Sequence, residues 1–339
     1  MHIHAIDHVE FYVGDADEVA ASLRSEYGFG LLGWLREDPA RYSVLVGQGD
    51  IRVLLTAARD PRHPAAAYVA EHGDGLATIA LSTEEPAAAL SEALDRGAVV
   101  RDGRMTGFGD VAHVFVRPGA LLEAVEPAPE PDRAALSLLD AIDHVAACVG
   151  AGELDRTVAY YERVLGFKQI FEEHIEVGGQ AMNSKVVQSI SKEVTLTLLE
   201  PDTTAEPGQI DDFLAAHHGA GVQHLAFRTD DIATAVRTLG ERGVGFLSTP
   251  GSYYDALEER FEHTAVPIPE LRELNVLVDQ DNEGELFQIF TQTTHPRRTI
   301  FFEVIERLGA LTFGSANIKA LYQAVERERT GANTEGATL

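Results

Sequence analysis

The sequence predicts an α+β fold made of tandem βαβββ modules that form two open, β-barrel-like domains. The first observation is an internal repeat, in which AIDHVEFYV (Ala5–Val13) is matched by AIDHVAACV (Ala141–Val149), so that His8 stands opposite His144. The second is the alternation of apolar and polar residues in VTLTLLE and ELFQIF, which is typical of half-buried strands. A strand, a helix and several further strands, repeated along the chain, give the module.

The opening strand of each half is followed by a helical stretch. In the second half, Leu154, Val158, Tyr161 and Leu165 fall on one helical face, and Gly166 suits the left-handed position that ends a helix. The stretch in the first half ends in the similar motif YGF. One amphipathic helix is therefore predicted after the first strand of each half.

The two halves differ at an aligned position. GDGLATIALSTEE matches GAGVQHLAFRTDD, and Thr78 stands where the second half has His224. His8 therefore lacks a partner, and we interpret residues 1–126 as a domain without metal, with His8 as an independent ligand as the alternative. The proline-rich run VEPAPEPDR (residues 125–133) indicates an extended linker, which we assign to residues 127–135, and residues 136–339 then form the catalytic domain.

Composition limits the partners of the protein. A hydrophobic fraction of 45% is typical of a globular protein, and no apolar run reaches the roughly 18 residues of a membrane-spanning helix. A formal net charge of −27 would repel nucleic acid and anionic membranes. The start of the chain lacks a secretory signal pattern, and the single cysteine, Cys148, excludes an intramolecular disulfide. We expect a cytoplasmic protein that acts on a small molecule.

Three polar residues lie in apolar, strand-like runs of the second half: His144 in AIDHVAACV, His224 in GVQHLAF and Glu303 in TIFFEVIE. Their spacing is nearly equal, at 80 and then 79 residues. Two imidazoles and one carboxylate suit a divalent metal and leave three coordination positions open, as in non-haem Fe(II) oxygenases. We therefore expect these side chains, each from a different strand, to bind one metal ion.

Seven segments, two of which contain His224 and Glu303, occur in an order that carries a family resemblance. They are NSKVVQS, EVTLTLLEP, GVQHLAF, SYYDALEER, DNEGELFQIFTQ, FFEVIER and FGSANIKALYQAVERE. Together they resemble the 4-hydroxyphenylpyruvate dioxygenase family, which has the vicinal oxygen chelate fold. The resemblance implies that His144, His224 and Glu303 bind Fe(II), and that 4-hydroxyphenylpyruvate and O2 are the substrates. It implies no catalytic residue beyond the metal ligands.

The same resemblance implies a set of residues that line the substrate pocket. They are Ser184, Thr197, Gln209, Gln223, Gln288, Phe290, Phe301, Phe313 and Ile318. Other interpretations stay open, because Gln288 could face outward from its strand and the phenylalanines could be core residues. Gln223 directly precedes a ligand, so strand alternation turns its side chain away from the metal and favours an indirect role.

Within the family, the chain resembles the branch that forms 4-hydroxymandelate. Homogentisate-forming members have proline and asparagine in a PLNEP-like segment, where this chain has Thr197 and Leu199, and phenylalanine where it has Ile318. The resemblance implies that 4-hydroxyphenylpyruvate undergoes oxidative decarboxylation and benzylic hydroxylation, which give 4-hydroxymandelate and CO2. It also implies that the product serves as a precursor of a peptide antibiotic. Formation of homogentisate is the alternative. The family also leads us to expect a homodimer.

The last segment has the apolar spacing of a helix, since Ile318, Leu321, Tyr322 and Val325 fall on one face. This helix either closes over the site as a lid or packs permanently on the barrel. Two functions of other classes also remain open. An extradiol ring-cleaving dioxygenase would act on catechols without a keto acid, and a metal-free binding protein would need no ligand triad.

Overall fold

Two mixed β-sheets and the helices that connect their strands make up the computed structural model of the protein. It describes residues 1–36, 38–101, 103–129, 136–314, 317 and 319–320. Ile318 and the predicted closing helix beyond residue 320 lie outside the described residues, as do residues 130–135 of the predicted linker.

The first half contains the amino-terminal sheet. Its strands are β1 (Ile6–Tyr12), β2 (Gly30–Leu35), β3 (Arg41–Gln48), β4 (Ile51–Ala58), β5 (Gly75–Ser82), β6 (Val100–Arg101), β7 (Arg104–Thr106), β8 (Ala112–Val116) and β9 (Val125–Pro127). Its helices are α1 (Ala16–Ser25), α2 (Pro64–His72), α3 (Pro86–Asp95) and α4 (Ala120–Ala124). In the described part of the chain the strand order is β6-β7-β8-β5-β1-β4-β3-β2-β9.

The second half contains the carboxy-terminal sheet. Its strands are β10 (Ala141–Cys148), β11 (Lys168–Val177), β12 (Gln180–Gln188), β13 (Thr195–Pro201), β14 (Gly221–Arg228), β15 (Leu277–Gln280), β16 (Glu285–Phe290) and β17 (Phe301–Leu308). Its helices are α5 (Leu154–Leu165), α6 (Gln209–His217), α7 (Ile232–Glu241), α8 (Gly251–Arg260) and α9 (Ile268–Leu274). Among the described residues the strand order is β11-β12-β13-β10-β14-β17-β16-β15.

Each sheet contains a pair of βαβββ modules, and β9 adds an edge strand to the amino-terminal sheet. The modules run β1-α1-β2-β3-β4 and β5-α3-β6-β7-β8 in the first half, and β10-α5-β11-β12-β13 and β14-α7-β15-β16-β17 in the second. The two opening strands pair antiparallel at the middle of each sheet, where His8 lies opposite Ala80 and His144 opposite Ala226. This equal register confirms the predicted fold class and the alignment of the two halves.

Helix α5 follows the predicted pattern. Leu154, Val158, Tyr161 and Leu165 are all buried, and burial of each apolar side chain contributes roughly 1.5–3 kcal/mol. Gly166 ends the helix with φ of 74° and donates its N–H to the carbonyl of Tyr161, a conformation that glycine adopts without a Cβ penalty.

One apolar core extends across both halves. The ring of Phe29 packs against Phe227 with centroids 5.9 Å apart, and Tyr27 packs edge-on against Phe302 at 5.1 Å. Between the halves, the side-chain oxygen of Gln48 accepts hydrogen bonds from the backbone N–H groups of residues 138 and 139, each at 2.8 Å. These contacts fix the carboxy-terminal sheet against the amino-terminal one.

The start of the proline-rich run forms a strand as well as a connection. Val125–Pro127 makes up β9, which pairs with β2 at the edge of the sheet, so that Pro127 lies opposite Gly33. An edge strand tolerates proline because the missing N–H is not needed by a further strand. None of the described helices has the length and apolar character needed to cross a membrane.

Candidate metal centre

His144, His224 and Glu303 lie on three adjacent strands, β10, β14 and β17. His144 and Glu303 flank the same residue of the middle strand, because both are paired in register with Ala226. His224 lies two residues earlier on that strand and therefore points to the same face of the sheet. The small side chain of Ala226 leaves the space between the three polar groups open.

The three side chains offer ligand atoms that all lie within 4.8 Å of one another. Oε2 of Glu303 is 3.3 Å from Nε2 of His144 and 3.5 Å from Nε2 of His224. All three residues are buried, with exposures of 4% for His144, 7% for His224 and 1% for Glu303. Each nitrogen and the carboxylate oxygen thus face a common point in the interior of the sheet.

Each histidine is oriented by the residue that precedes it. Oδ1 of Asp143 lies 2.9 Å from Nδ1 of His144, and Oε1 of Gln223 lies 3.3 Å from Nδ1 of His224. Asp143 and Gln223 each lie at a β-bulge, where the pairing of β10 with β14 skips one residue. Their side chains therefore need not point to the face opposite that of the histidine that follows. Because Nδ1–H donates to these oxygens, the lone pair of each Nε2 is directed to the common point.

Glu303 is held by a chain of amide hydrogen bonds. Nε2 of Gln288 donates to Oε1 of Glu303 at 2.8 Å, and Oε1 of Gln288 accepts from Nδ2 of Asn317 at 2.9 Å. Asn317 in turn accepts from the hydroxyl of Tyr253 at 2.9 Å. Gly314, with φ of 71°, packs against these hydrogen-bonded amides. A Cβ at this position would lie 2.4 Å from the side-chain oxygen of Gln288, so the position requires glycine. The arrangement leaves Oε2 of Glu303 available to a metal.

The charges of the site oppose the effect of burial. Burial alone would lower the pKa of His144, but the carboxylates of Glu303 and Asp143 raise it to about 9. Burial would raise the pKa of Glu303, but His144 and His224 lower it to about 2. Burial lowers the pKa of His224. An ionised carboxylate and a neutral imidazole are the forms that bind metal, while at His144 a metal ion competes with a proton.

The donor set fits a divalent transition metal. Bonds of about 2.1 Å at right angles place neighbouring ligand atoms about 3.0 Å apart. The distances of 3.3 and 3.5 Å from Oε2 of Glu303 to the two Nε2 atoms are close to that separation. Two imidazoles and one carboxylate on one side of an ion leave its other side open to the adjoining cavity.

Arg307 stabilises the group that orients His144. Its Nε donates to Oδ2 of Asp143 at 2.8 Å and its Nη2 to Oδ1 at 3.0 Å, while Nη1 donates to the carbonyl of Thr312 at 2.7 Å. Burial would raise the pKa of Asp143, but His144 and Arg307 hold it far below its usual range. The guanidinium also lies over the ring of Phe313, 5.2 Å from its centroid.

A cavity of about 520 Å³, including its open mouth, adjoins the three ligands. Beside the ligands it is lined by Met182, Thr197, Leu199, Gln209, Ile210, Gln223, Gln288, Phe290 and Phe313. The hydroxyl of Thr197 is buried and has no hydrogen-bond partner among the described residues. Apolar surface makes up most of the walls, and the Thr197 hydroxyl is a polar group that can orient a bound molecule.

Six of the nine residues that the resemblance assigned to the pocket line this cavity: Thr197, Gln209, Gln223, Gln288, Phe290 and Phe313. Two others lie elsewhere. Ser184 is buried on β12, opposite Leu199, but does not line the cavity. Phe301 stacks on the back of the His224 ring, with centroids 4.9 Å apart. Ile318, the ninth, is outside the described residues.

Sequence reasoning did not identify Asp143, Arg307 or Asn317. Asp143 had a usable signal, because Asp-His occurs in both copies of the repeat, and Asp7 lies 2.7 Å from Nδ1 of His8 just as Asp143 lies beside His144. Arg307 and Asn317 carry no such pattern, since their partners are distant in sequence.

The amino-terminal sheet has other residues at the equivalent positions. Thr78 corresponds to His224, and Val114, opposite Ala80, corresponds to Glu303. An ion pair between the buried Glu10 and the half-buried Arg104 occupies the neighbouring space, where Glu10 accepts from Arg104 at 3.0 Å and from Thr78 at 3.1 Å. His8 therefore has no second ligand beside it among these positions.

Comparison with known proteins agrees with this geometry. The model of the Glyoxalase/Bleomycin resistance protein/Dioxygenase superfamily matches residues 141–289. The 4-hydroxyphenylpyruvate dioxygenase of Yarrowia lipolytica is 30% identical, over 95% of this chain and 91% of that protein. The enzyme of the same name from Dictyostelium discoideum is also 30% identical, over 95% and 97%.

A solved structure extends the likeness to the whole fold. A mutant of 4-hydroxymandelate synthase from Streptomyces coelicolor is 40% identical, with a TM-score of 0.86, and the match covers 96% of this chain and 99% of that one. A match over 96% of this chain includes residues of both halves. The chain belongs to the 4-hydroxyphenylpyruvate dioxygenase family of the vicinal oxygen chelate superfamily.

Proposed function

We propose that the protein is a non-haem Fe(II) dioxygenase that converts 4-hydroxyphenylpyruvate and O2 to 4-hydroxymandelate and CO2. The observation that carries this proposal is the convergence of His144, His224 and Glu303 beside a cavity, in a chain 40% identical to a 4-hydroxymandelate synthase. Fe(II) bound by the triad would supply open positions for a 2-oxo acid and O2, together with the electrons that activate O2.

The residues around the ligands keep them ready for the metal. Asp143 and Gln223 accept the Nδ1 hydrogens, so that both Nε2 atoms are free to coordinate. Gln288 donates to one oxygen of Glu303 and leaves the other free. Neutral amides suit these positions because a further charged base beside the site would compete for the cation.

The cavity suits an aromatic 2-oxo acid. Phe290 supplies a ring surface beside His224 and Phe313 one beside His144, and the unpartnered hydroxyl of Thr197 can hydrogen-bond a polar group of the substrate. In the balanced reaction, the bond between the keto carbon and the carboxyl carbon breaks and CO2 leaves. One oxygen atom of O2 enters the new carboxylate and the other enters the benzylic carbon.

Leu199 supports hydroxylation at the benzylic carbon over attack on the ring. It lines the cavity with an apolar side chain where homogentisate-forming members have an asparagine, so no amide at this position holds the phenol. Formation of homogentisate is the second candidate, because the relatives at 30% identity are 4-hydroxyphenylpyruvate dioxygenases.

A product assay separates the two candidates. Purified protein is incubated with Fe(II), O2 and 4-hydroxyphenylpyruvate, and the products are resolved by chromatography before mass spectrometry, because the two candidate products are isomers. We expect 4-hydroxymandelate and an equal amount of CO2. Homogentisate as the main product would overturn the proposal, and turnover of catechols without a keto acid would indicate ring cleavage instead.

We further propose that residues 1–126 form a domain without metal, that residues 127–135 are a linker and that residues 136–339 are the catalytic domain. Thr78 and Val114 support this division, because neither can replace the ligands of the second half. We expect one metal ion per chain, retained in His8→Ala and lost in His144→Ala. We also expect a homodimer, which light scattering tests directly.

A further inference from the structure

A second cavity lies next to the metal cavity. It is an open groove of about 910 Å³, including its mouth, and Gln209 and Gln223 line both cavities. Phe301, stacked on the His224 ring, forms part of the groove wall. The groove and the metal cavity therefore share a wall that is formed by the side chains of Gln209 and Gln223.

The groove is basic in a protein that is otherwise strongly acidic. Among the described residues, Arg297 and Arg298 line it together with one carboxylate, that of Asp212. The guanidinium of Arg297 is occupied, because it donates to the carbonyls of Ala70 and Glu71 near the end of α2. Arg298 is exposed, and its side chain has no hydrogen bond or ion pair with any described residue. Of the described residues that line the groove, Arg298 therefore offers a guanidinium that is available to an anion.

The backbone around Arg298 is held in an unusual conformation. Arg298 has φ of 56°, in the left-handed region that a residue with a Cβ rarely adopts. His295 fixes the turn, since its carbonyl accepts from the N–H of Arg298 at 2.8 Å and its Nδ1 lies 2.9 Å from the hydroxyl of Thr299. Strand β17, which carries Glu303, begins three residues after Arg298. The cation is thus attached to a fixed turn next to a ligand strand.

We propose that this groove is the access route of the 2-oxo acid and that Arg298 binds its carboxylate before it reaches the metal cavity. The inference rests on the proposed function, which requires an anionic substrate. A net charge of −27 repels such a substrate from most of the surface, so a free guanidinium at the groove raises its local concentration. The anion then passes between Gln209 and Gln223 to the stronger positive charge of the metal.

The first experiment measures association in the absence of turnover. The Fe(II)-loaded enzyme is mixed with 4-hydroxyphenylpyruvate under argon, and the visible absorbance of the chelated 2-oxo acid is followed by stopped flow. We expect Arg298→Glu to lower the association rate about fivefold or more at low ionic strength, and Arg298→Gln to lower it less. The difference from the wild type should shrink at high salt, which screens the charge.

Arg101→Glu provides the matched control, because Arg101 is also exposed, has no hydrogen bond or ion pair with a described residue and lies on an edge strand of the other sheet. Equal rates in Arg298→Glu and Arg101→Glu would overturn the role of Arg298. If the loaded wild-type enzyme does not bind the keto acid at all, the proposed function fails as well, and the two failures are thereby distinguished.

The second experiment tests the route. Ala216 lines the groove but not the metal cavity, so Ala216→Trp should obstruct passage without touching the bound substrate. A blocked route slows association and dissociation by the same factor and leaves the Kd unchanged. Ala215→Trp, on the exposed side of the same helix, should change neither rate. A changed Kd with an unchanged association rate, or equal effects at both positions, would exclude the groove as the route. Ala216→Met offers a smaller obstruction if the tryptophan prevents folding.

Discussion

Arg307 grips Asp143 through two parallel hydrogen bonds, and Asp143 in turn accepts from Nδ1 of His144. Arg307 thus contacts the candidate metal ligand His144 indirectly, through the carboxylate of Asp143. The same guanidinium binds the carbonyl of Thr312, one residue before the cavity wall at Phe313. The orientation of the ligand and the position of the wall therefore depend on one side chain.

Asp143→Asn should weaken metal binding about 10- to 100-fold, because the amide orients the His144 ring less strongly and does not increase its basicity. Titration calorimetry with Co(II) or Fe(II) measures the change. Asp7→Asn is the matched control, since Asp7 makes the same contact with His8 in the amino-terminal half. Equal loss of affinity in both variants would mean that the contact has no specific role at the metal centre.

Arg307→Met should lower the free energy of unfolding by about 3–5 kcal/mol, because it removes the guanidinium that pairs with the carboxylate of Asp143, whose side chain is only 9% exposed. Urea denaturation measures this loss. In the double variant Asp143→Asn/Arg307→Met no uncompensated charge remains, so part of the lost stability should return. A double variant that is no more stable than Arg307→Met would show that the ion pair is not the cause.

Leu199→Asn should shift the products towards homogentisate, because it places an amide in the cavity where it can hold the phenol and turn the ring. The ratio of the two isomers, separated by chromatography, is the readout. Leu199→Met keeps the position apolar and similar in volume, and should leave the ratio unchanged. If the two variants give the same ratio, the polarity of residue 199 does not control the outcome.

His113 should make the protein less stable in acid. It is almost fully buried, with Nε2 2.7 Å from the hydroxyl of Tyr161, and burial lowers its pKa to about 4. The unfolded chain takes up this proton near pH 6.5, so stability that is present above pH 6.5 is lost as the pH falls towards 4. The loss amounts to about 3 kcal/mol at pH 4.

Urea denaturation between pH 7 and pH 4.5 tests this linkage. His113→Gln removes the titrating group and should show a shallower decline of the free energy of unfolding with falling pH. His2→Gln, at an exposed position, should decline in parallel with the wild type. Parallel curves for all three proteins would assign the acid sensitivity to other groups.

Most of the fold was predictable because the spacing of apolar residues and an internal repeat are visible in the sequence. The apolar face of α5 and the aligned pair His8 and His144 needed only helical spacing and an internal repeat. Val125–Pro127 was the exception, because prolines exclude central strands but not an edge strand.

The site was less accessible to sequence reasoning. The three ligands could be found from residue type and context. The direction of the Gln223 side chain could not, because Gln223 lies at a register shift between β10 and β14, where the alternation of side chains along a strand is interrupted. Phe301 is a phenylalanine like Phe290 and Phe313, which line the cavity, but its ring stacks on that of His224. Arg307 and Asn317 act through contacts 164 and 29 residues away, which leave no local pattern.

The contact between Asp7 and His8 has a consequence for protein engineering. The amino-terminal half already presents one imidazole whose tautomer is set, in the same register as its counterpart. Installing a second metal there would call for histidine in place of Thr78 and glutamate in place of Val114, together with removal of the Glu10–Arg104 pair. The repeat thus offers a ready scaffold on which a two-metal descendant of this enzyme could be designed.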